Sequence, residues 1–254
     1  LALSTGSVEW ARWFLEYGHG LDSPSLLAHG GIVYFGVNKP AVVAGGANTV
    51  VAASAYSGDT LWEHETGEVM WNFTPSTPGD GTLLFSSSCG AVFRLGSAGQ
   101  LLWRAGGHHG RVMCTTAGGA LGPNGIFYAE FREGPSILPT WGSDVSDTLA
   151  AYRVSDGSLL WRRQLPYRAI QYPSVGRLGP DGPLAVVAAL GDNPMYPMSA
   201  EEDATLLESV GGGGLRNMVV AMDAATGETL WTSEDERWNS SFAAGELDPH
   251  NPAD

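Results

Sequence analysis

Six of the nine tryptophans in this chain, Trp10, Trp62, Trp71, Trp103, Trp161 and Trp231, have a glycine four residues before them, at Gly6, Gly58, Gly67, Gly99, Gly157 and Gly227. Random placement of the 35 glycines would give about one such pair, so the spacing marks an internal repeat. The longest self-match needs no gap: residues 48–62 read NTVVAASAYSGDTLW and residues 217–231 read NMVVAMDAATGETLW. This constrains the fold more than any other feature, because a unit so short cannot bury its own apolar face and must stack on its neighbours.

Each copy reads as a hairpin, with a β-rich run, a turn of small residues centred on the glycine, and a short strand ending in the tryptophan. Glycine supplies the positive φ that such a turn often needs. Upstream lies a second turn signal before an alternating apolar run: His29-Gly30-Gly31 before IVYFGV, Asp80-Gly81 before TLLFSS, Asn124-Gly125 before IFYAEF and Asp181-Gly182 before PLAVVAAL. Two hairpins per unit make a four-stranded antiparallel blade, and the fold class expected is an all-β propeller.

Taking Trp10, Trp62, Trp103, Trp161 and Trp231 as blade ends divides the single domain 1–254 into 1–10, the end of a blade, then 11–62, 63–103, 104–161 and 162–231, and 232–254, the start of another. Trp71 competes with Trp62, and the gapless match favours Trp62, which makes EVMWNFTPSTPGDG the opening strand of the next unit. Extra length sits in insertions at 38–47, 134–147 and 191–216, and insertions in repeat proteins map to loops, where binding concentrates.

The stretch AMDAATGETLW at 221–231 resembles the tryptophan-docking motif of the repeat found in pyrroloquinoline-quinone (PQQ) dehydrogenases and in bacterial outer-membrane assembly propellers, with AYRVSDGSLLW and FRLGSAGQLLW as degenerate copies. The resemblance covers residues 1–232 in patches. It implies that Trp10, Trp62, Trp103, Trp161 and Trp231, with Gly6, Gly58, Gly99, Gly157 and Gly227, are structural blade-docking residues, each indole packing between neighbouring blades. It also implies a larger ring of seven or eight blades, of which about four whole blades and a partial blade at either end are present. A ring of five closed by the two partial units is the alternative.

The resemblance carries two functions. One is a non-catalytic binding or scaffold propeller, with a protein partner held by the loops between strands. The other is part of a quinoprotein dehydrogenase oxidising alcohols or sugars, with PQQ near the axis and Ca²⁺ held by carboxylate and amide oxygens. Asp192, Asn193, Glu201, Glu202 and Asp203 could supply such oxygens, or form a solvated acidic loop, and Trp141 could stack on a quinone or anchor its loop. Adjacent cysteines and a CxxCH haem site are absent, which favours the scaffold, so no catalytic residue, metal ligand or cofactor is assigned.

The remaining signals mostly exclude. A formal charge of −14 repels phosphate backbones, so no nucleic-acid partner is expected. His108, His109 and Cys114 lack the second ligand pair of a zinc site, and no GxSxG, HExxH or phosphate-loop pattern occurs. Gly211 to Gly214 neither follows a strand nor opens a helix. Cys89 and Cys114 leave room for one bridge. Asn72 and Asn239 head glycosylation triplets, meaningful only in a secreted eukaryotic protein. No apolar stretch reaches the length of a membrane span, and the compartment stays open between secreted, periplasmic and lumenal.

Overall fold

The computed structural model describes residues 7–11, 25–39, 47–71, 73–107, 114, 117–131, 147–169, 171–191 and 217–234. Among them all regular structure is β, in four antiparallel sheets. The first is a meander of β1 (Leu27–His29), β2 (Ile32–Val37), β3 (Ala47–Ser54) and β4 (Thr60–Met70). The second contains β5 (Leu83–Ser86), β6 (Val92–Leu95) and β7 (Leu101–Ala105). The third is built from β8 (Gly119–Leu121), β9 (Ile126–Phe131), β10 (Thr148–Arg153) and β11 (Leu159–Gln164), and the fourth from β12 (Ser174–Arg177), β13 (Leu184–Gly191), β14 (Asn217–Asp223) and β15 (Thr229–Glu234).

The second sheet departs from the four-stranded pattern for a reason visible in its residues. Where a first strand would lie there is one isolated bridge, Ser76 to Leu84, closed by two backbone bonds of 2.8 Å. Pro75 and Pro78 bracket it, and without N–H groups they cannot extend a ladder. The preceding residues also behave differently from the expected opening strand. Glu68 to Met70 continue β4, whose pairing with β3 shifts register so that Ala47 meets Met70. Gly67, at φ +70°, lies in the bulge that absorbs the extra residues.

The middle strands of the sheets are buried on both faces because they are apolar at odd and even positions alike. On β9, Phe127, Ala129 and Phe131 pack toward the second sheet with Leu84, Val92 and Tyr152, whereas Tyr128 on the alternate face joins Trp161, Val186, Leu190 and Val220 against the fourth. Tyr34, Phe73, Phe85 and Phe93 make the corresponding core between the first and second sheets, with Phe85 and Phe93 stacked at 5.1 Å. Core therefore lies between successive sheets, as stacked blades require.

Candidate functional site

In the three four-stranded sheets the turn between the third and fourth strands is closed the same way. In the fourth sheet the Asp223 N–H donates to Glu228 O and the Gly227 N–H donates to Asp223 O, each at 2.8 Å. Ser54 and Gly58 in the first sheet, and Arg153 and Gly157 in the third, repeat this pair of bonds, while the second sheet closes a turn one residue shorter on Gly96 and Gly99. The turn glycines Gly58, Gly99, Gly157 and Gly227 have φ between +70° and +78°.

Each of these glycines meets the tryptophan of the preceding repeat, not the one four residues further on. A Cβ at Gly58 would come within 2.7 Å of Trp10, one at Gly99 within 2.7 Å of Trp62, one at Gly157 within 2.8 Å of Trp103 and one at Gly227 within 2.7 Å of Trp161. The indole N–H of each tryptophan donates to a carbonyl in the same turn: Trp10 to Ala55 and Trp62 to Ser97 at 2.9 Å, Trp103 to Val154 and Trp161 to Ala224 at 3.1 Å. Two of those carbonyls take a second donor, Arg94 Nη1 on Val154 O and the Tyr128 hydroxyl on Ala224 O, each at 2.8 Å. Trp231, on β15, is 41% exposed. A Cβ at Gly67, four residues before Trp71, would meet nothing within 4 Å. Gly6 lies outside the described residues.

Because Trp62, Trp103 and Trp161, near the start of their outer strands, each lie on the next sheet's turn, these turns share one end of the stack. The connectors between second and third strands leave from the opposite end, and they include all three insertions read from the sequence. That end is cross-braced. A disulfide joins Cys89, in the turn from β5 to β6, to Cys114, in the connector between second and third sheets, so Cys114 is no thiolate ligand. Closing a loop of this length stabilises by about 3 kcal/mol. Glu68, on β4, receives Arg104 Nε and Nη2 of β7 on Oε1, tying the first sheet to the second, and the guanidinium lies 5.6 Å from the Phe93 ring centre.

Sequence reading missed a buried acidic pair at this end. Glu130 on β9 is completely buried, and neither carboxylate oxygen has a hydrogen-bond partner among the described residues. Asp147, just before β10, is equally buried, and its Oδ2 accepts the Ala169 N–H at 2.8 Å. Loss of solvation, and secondarily the Asp147 charge, push the Glu130 carboxyl well above the ordinary glutamate range. The signal was present, since IFYAEF places an acid on the same alternate face as Tyr128, inside a run otherwise apolar.

Among the described residues no three His, Cys, Asp or Glu side chains converge into a candidate cation site. The candidates Asp192, Asn193, Glu201, Glu202, Asp203, Trp141, His108, His109, Gly211 to Gly214, Asn72 and Asn239 lie outside the described residues. No described helix is long and apolar enough to cross a membrane.

The sheets, with core between neighbours, define a β-propeller, and comparison with solved structures narrows the kind. No protein-family profile and no curated protein matches the sequence. The quinohemoprotein alcohol dehydrogenase ADHIIG from Pseudomonas putida HK5 superposes with a TM-score of 0.54 at 14% identity, covering 86% of this chain and 34% of that one. A europium-containing methanol dehydrogenase gives 0.52 at 16%, covering 83% and 41%. BamB from Moraxella catarrhalis gives 0.47 at 17%, covering 83% and 51%. The chain spans about half the length of these neighbours or less. It has the PQQ-type propeller fold.

Proposed function

We propose that the chain is a non-catalytic PQQ-like-repeat propeller that serves as a binding or scaffold surface for a protein partner, with contacts on the connectors between second and third strands. The observation that carries this is the division of labour between the two ends of the stack. At one end glycine and tryptophan join sheet to sheet, and the opposite, cross-braced end carries all three insertions. A rigid frame presenting long loops is how many scaffolds expose binding residues. In this reading Trp10, Trp62, Trp103, Trp161 and Trp231 with their glycines are the blade-docking residues, and the described outer strands run on past their tryptophans, to Met70, Ala105, Gln164 and Glu234. The Cys89–Cys114 bridge supports an oxidising compartment, since cytosolic thiol pools keep such pairs reduced.

The second reading, part of a quinoprotein dehydrogenase, draws on the dehydrogenase neighbours, whose likeness is one of fold. Titration calorimetry with PQQ and Ca²⁺, followed by dye reduction with alcohols and aldoses, separates the two. The scaffold reading expects neither tight binding nor turnover. Micromolar binding with turnover would replace it.

A further inference from the structure

Glu130 occupies a position that the other sheets fill with small residues. Pairing fixes the equivalence: Tyr34, Leu84, Tyr128 and Val187 lie opposite Ala52, Arg94, Ala151 and Ala221, which in turn lie opposite Trp62, Trp103, Trp161 and Trp231. Two residues further along the second strand stand Gly36, Ser86, Glu130 and Ala189. A glutamate in this series, completely buried between sheets with both oxygens unpartnered, costs several kcal/mol if charged and much less if it keeps its proton.

Its surroundings oppose ionisation. Asp147 contributes a negative charge from the start of β10. Tyr128, on the same face of β9, is committed elsewhere, donating to Ala224 O and accepting from Asn124 Nδ2. The face carrying Tyr128 packs against Leu165 and Ala169 from the connector between β11 and β12, Ala188 and Leu190 from β13, and Met218 and Val220 from β14. That connector also carries Tyr167 and Arg168, and the Arg168 carbonyl is taken by the Gly191 N–H. Of these groups, Asp147 is the one whose charge acts on Glu130.

We propose that Glu130 is a neutral carboxylic acid buried between the third and fourth sheets, and that it makes their packing pH-sensitive, tight when protonated and weakened as pH rises. It sits beside Phe131 and Asp147, which flank the connector 132–146, and Leu190, in the core it faces, lies two residues before the connector 192–216. A proton lost there loosens the strand ends from which those two connecting segments leave.

The sign follows from linkage. Above the ordinary glutamate value of about 4.3 the unfolded chain releases this proton while the folded chain keeps it, so stability falls as pH rises until the folded group ionises. Denaturant midpoints of the full chain and of Glu130→Gln, measured from pH 5 to 9, test this. The wild-type folding constant should fall relative to that of E130Q by up to about tenfold per pH unit in that window. Asp147→Asn, which keeps an oxygen for the Ala169 N–H, should narrow the window. Infrared spectra at neutral pH should show a protonated-acid carbonyl band that E130Q lacks. Parallel pH profiles for wild type and E130Q would overturn the proposal. So would the absence of that protonated-acid band at neutral pH, with melting that depends on Na⁺ or Ca²⁺ and loses that dependence in E130Q, because Glu130 would then be ionised and holding a cation.

Discussion

Trp161 and Trp10 make the same contact with very different burial. Both rest on the turn glycine of the following sheet and both donate an indole N–H to a carbonyl beside it, yet Trp161 is 7% exposed and Trp10 37%. Trp161 is enclosed by Tyr128, at 5.8 Å between ring centres, and by the core of two complete four-stranded sheets. The hydrogen bond and the glycine contact are local properties of a turn, whereas burial depends on how much sheet stands on either side. The geometry of the contact repeats, but the energy it yields does not.

Truncation breaks that comparison most sharply. Trp161→Ala should cost about 3–5 kcal/mol, because a large buried ring leaves a cavity and Ala224 O loses a donor. Trp10→Ala should cost clearly less, about 1–2 kcal/mol, since more than a third of the residue is already in water. Denaturant melts of the full chain measure both, and equal losses would show that burial does not set the strength of the contact.

The glycines give the next largest effect. Gly99 and Gly67 both have positive φ, at +78° and +70°, and both precede a tryptophan by four residues. Gly99→Ala would strain the backbone and drive a methyl into Trp62, whereas Gly67→Ala meets open space and bears only the strain, about 1–2 kcal/mol. Gly99→Ala should therefore melt measurably lower than Gly67→Ala. If the two are alike, the glycines are there for turn geometry alone.

The smallest effect lies on the surface of the second sheet. The Asp80 carboxyl is held below the ordinary aspartate range, first by the Thr82 hydroxyl, then by the Thr82 N–H and by Arg94, whose Nη2 lies 2.6 Å from Oδ2. A lowered carboxyl stabilises above its unfolded value and loses that contribution as pH falls through its folded value. Asp80→Asn should cost well under 1 kcal/mol at neutral pH, because the carboxylate is 48% exposed and Arg94 keeps the Thr82 hydroxyl and the Val154 carbonyl as acceptors, and the difference from wild type should vanish in strong acid.

The repeat and its turns were legible in the sequence because they are decided within about ten residues. An alternating apolar run, a glycine at positive φ and a tryptophan four residues on leave their marks in order along the chain, although the strand expected to end at that tryptophan in fact continues past it. The spacing also pairs each glycine with a nearby tryptophan, and here local reading reaches its limit. The tryptophan four residues on shares the glycine's own sheet, and the one that packs on it arrives from the sheet before, across 48 residues for Trp10 and Gly58 and across 66 for Trp161 and Gly227. Gly67 and Trp71 satisfy the spacing without such a contact, which only the packing reveals.

The same limit explains the acids and the cysteines. Glu130 reads in sequence as one charge in a strand, and its loss of solvent comes from the sheet that closes over it, whose core residues lie up to 94 positions away. Cys89 and Cys114 were two thiols open to a bridge or to other chemistry until a strand turn and an inter-sheet connector brought them together. Periodicity is a property of a strand and can be read along it. Burial, charge state and cross-links belong to pairs of sheets, and they exist only once the stack has formed.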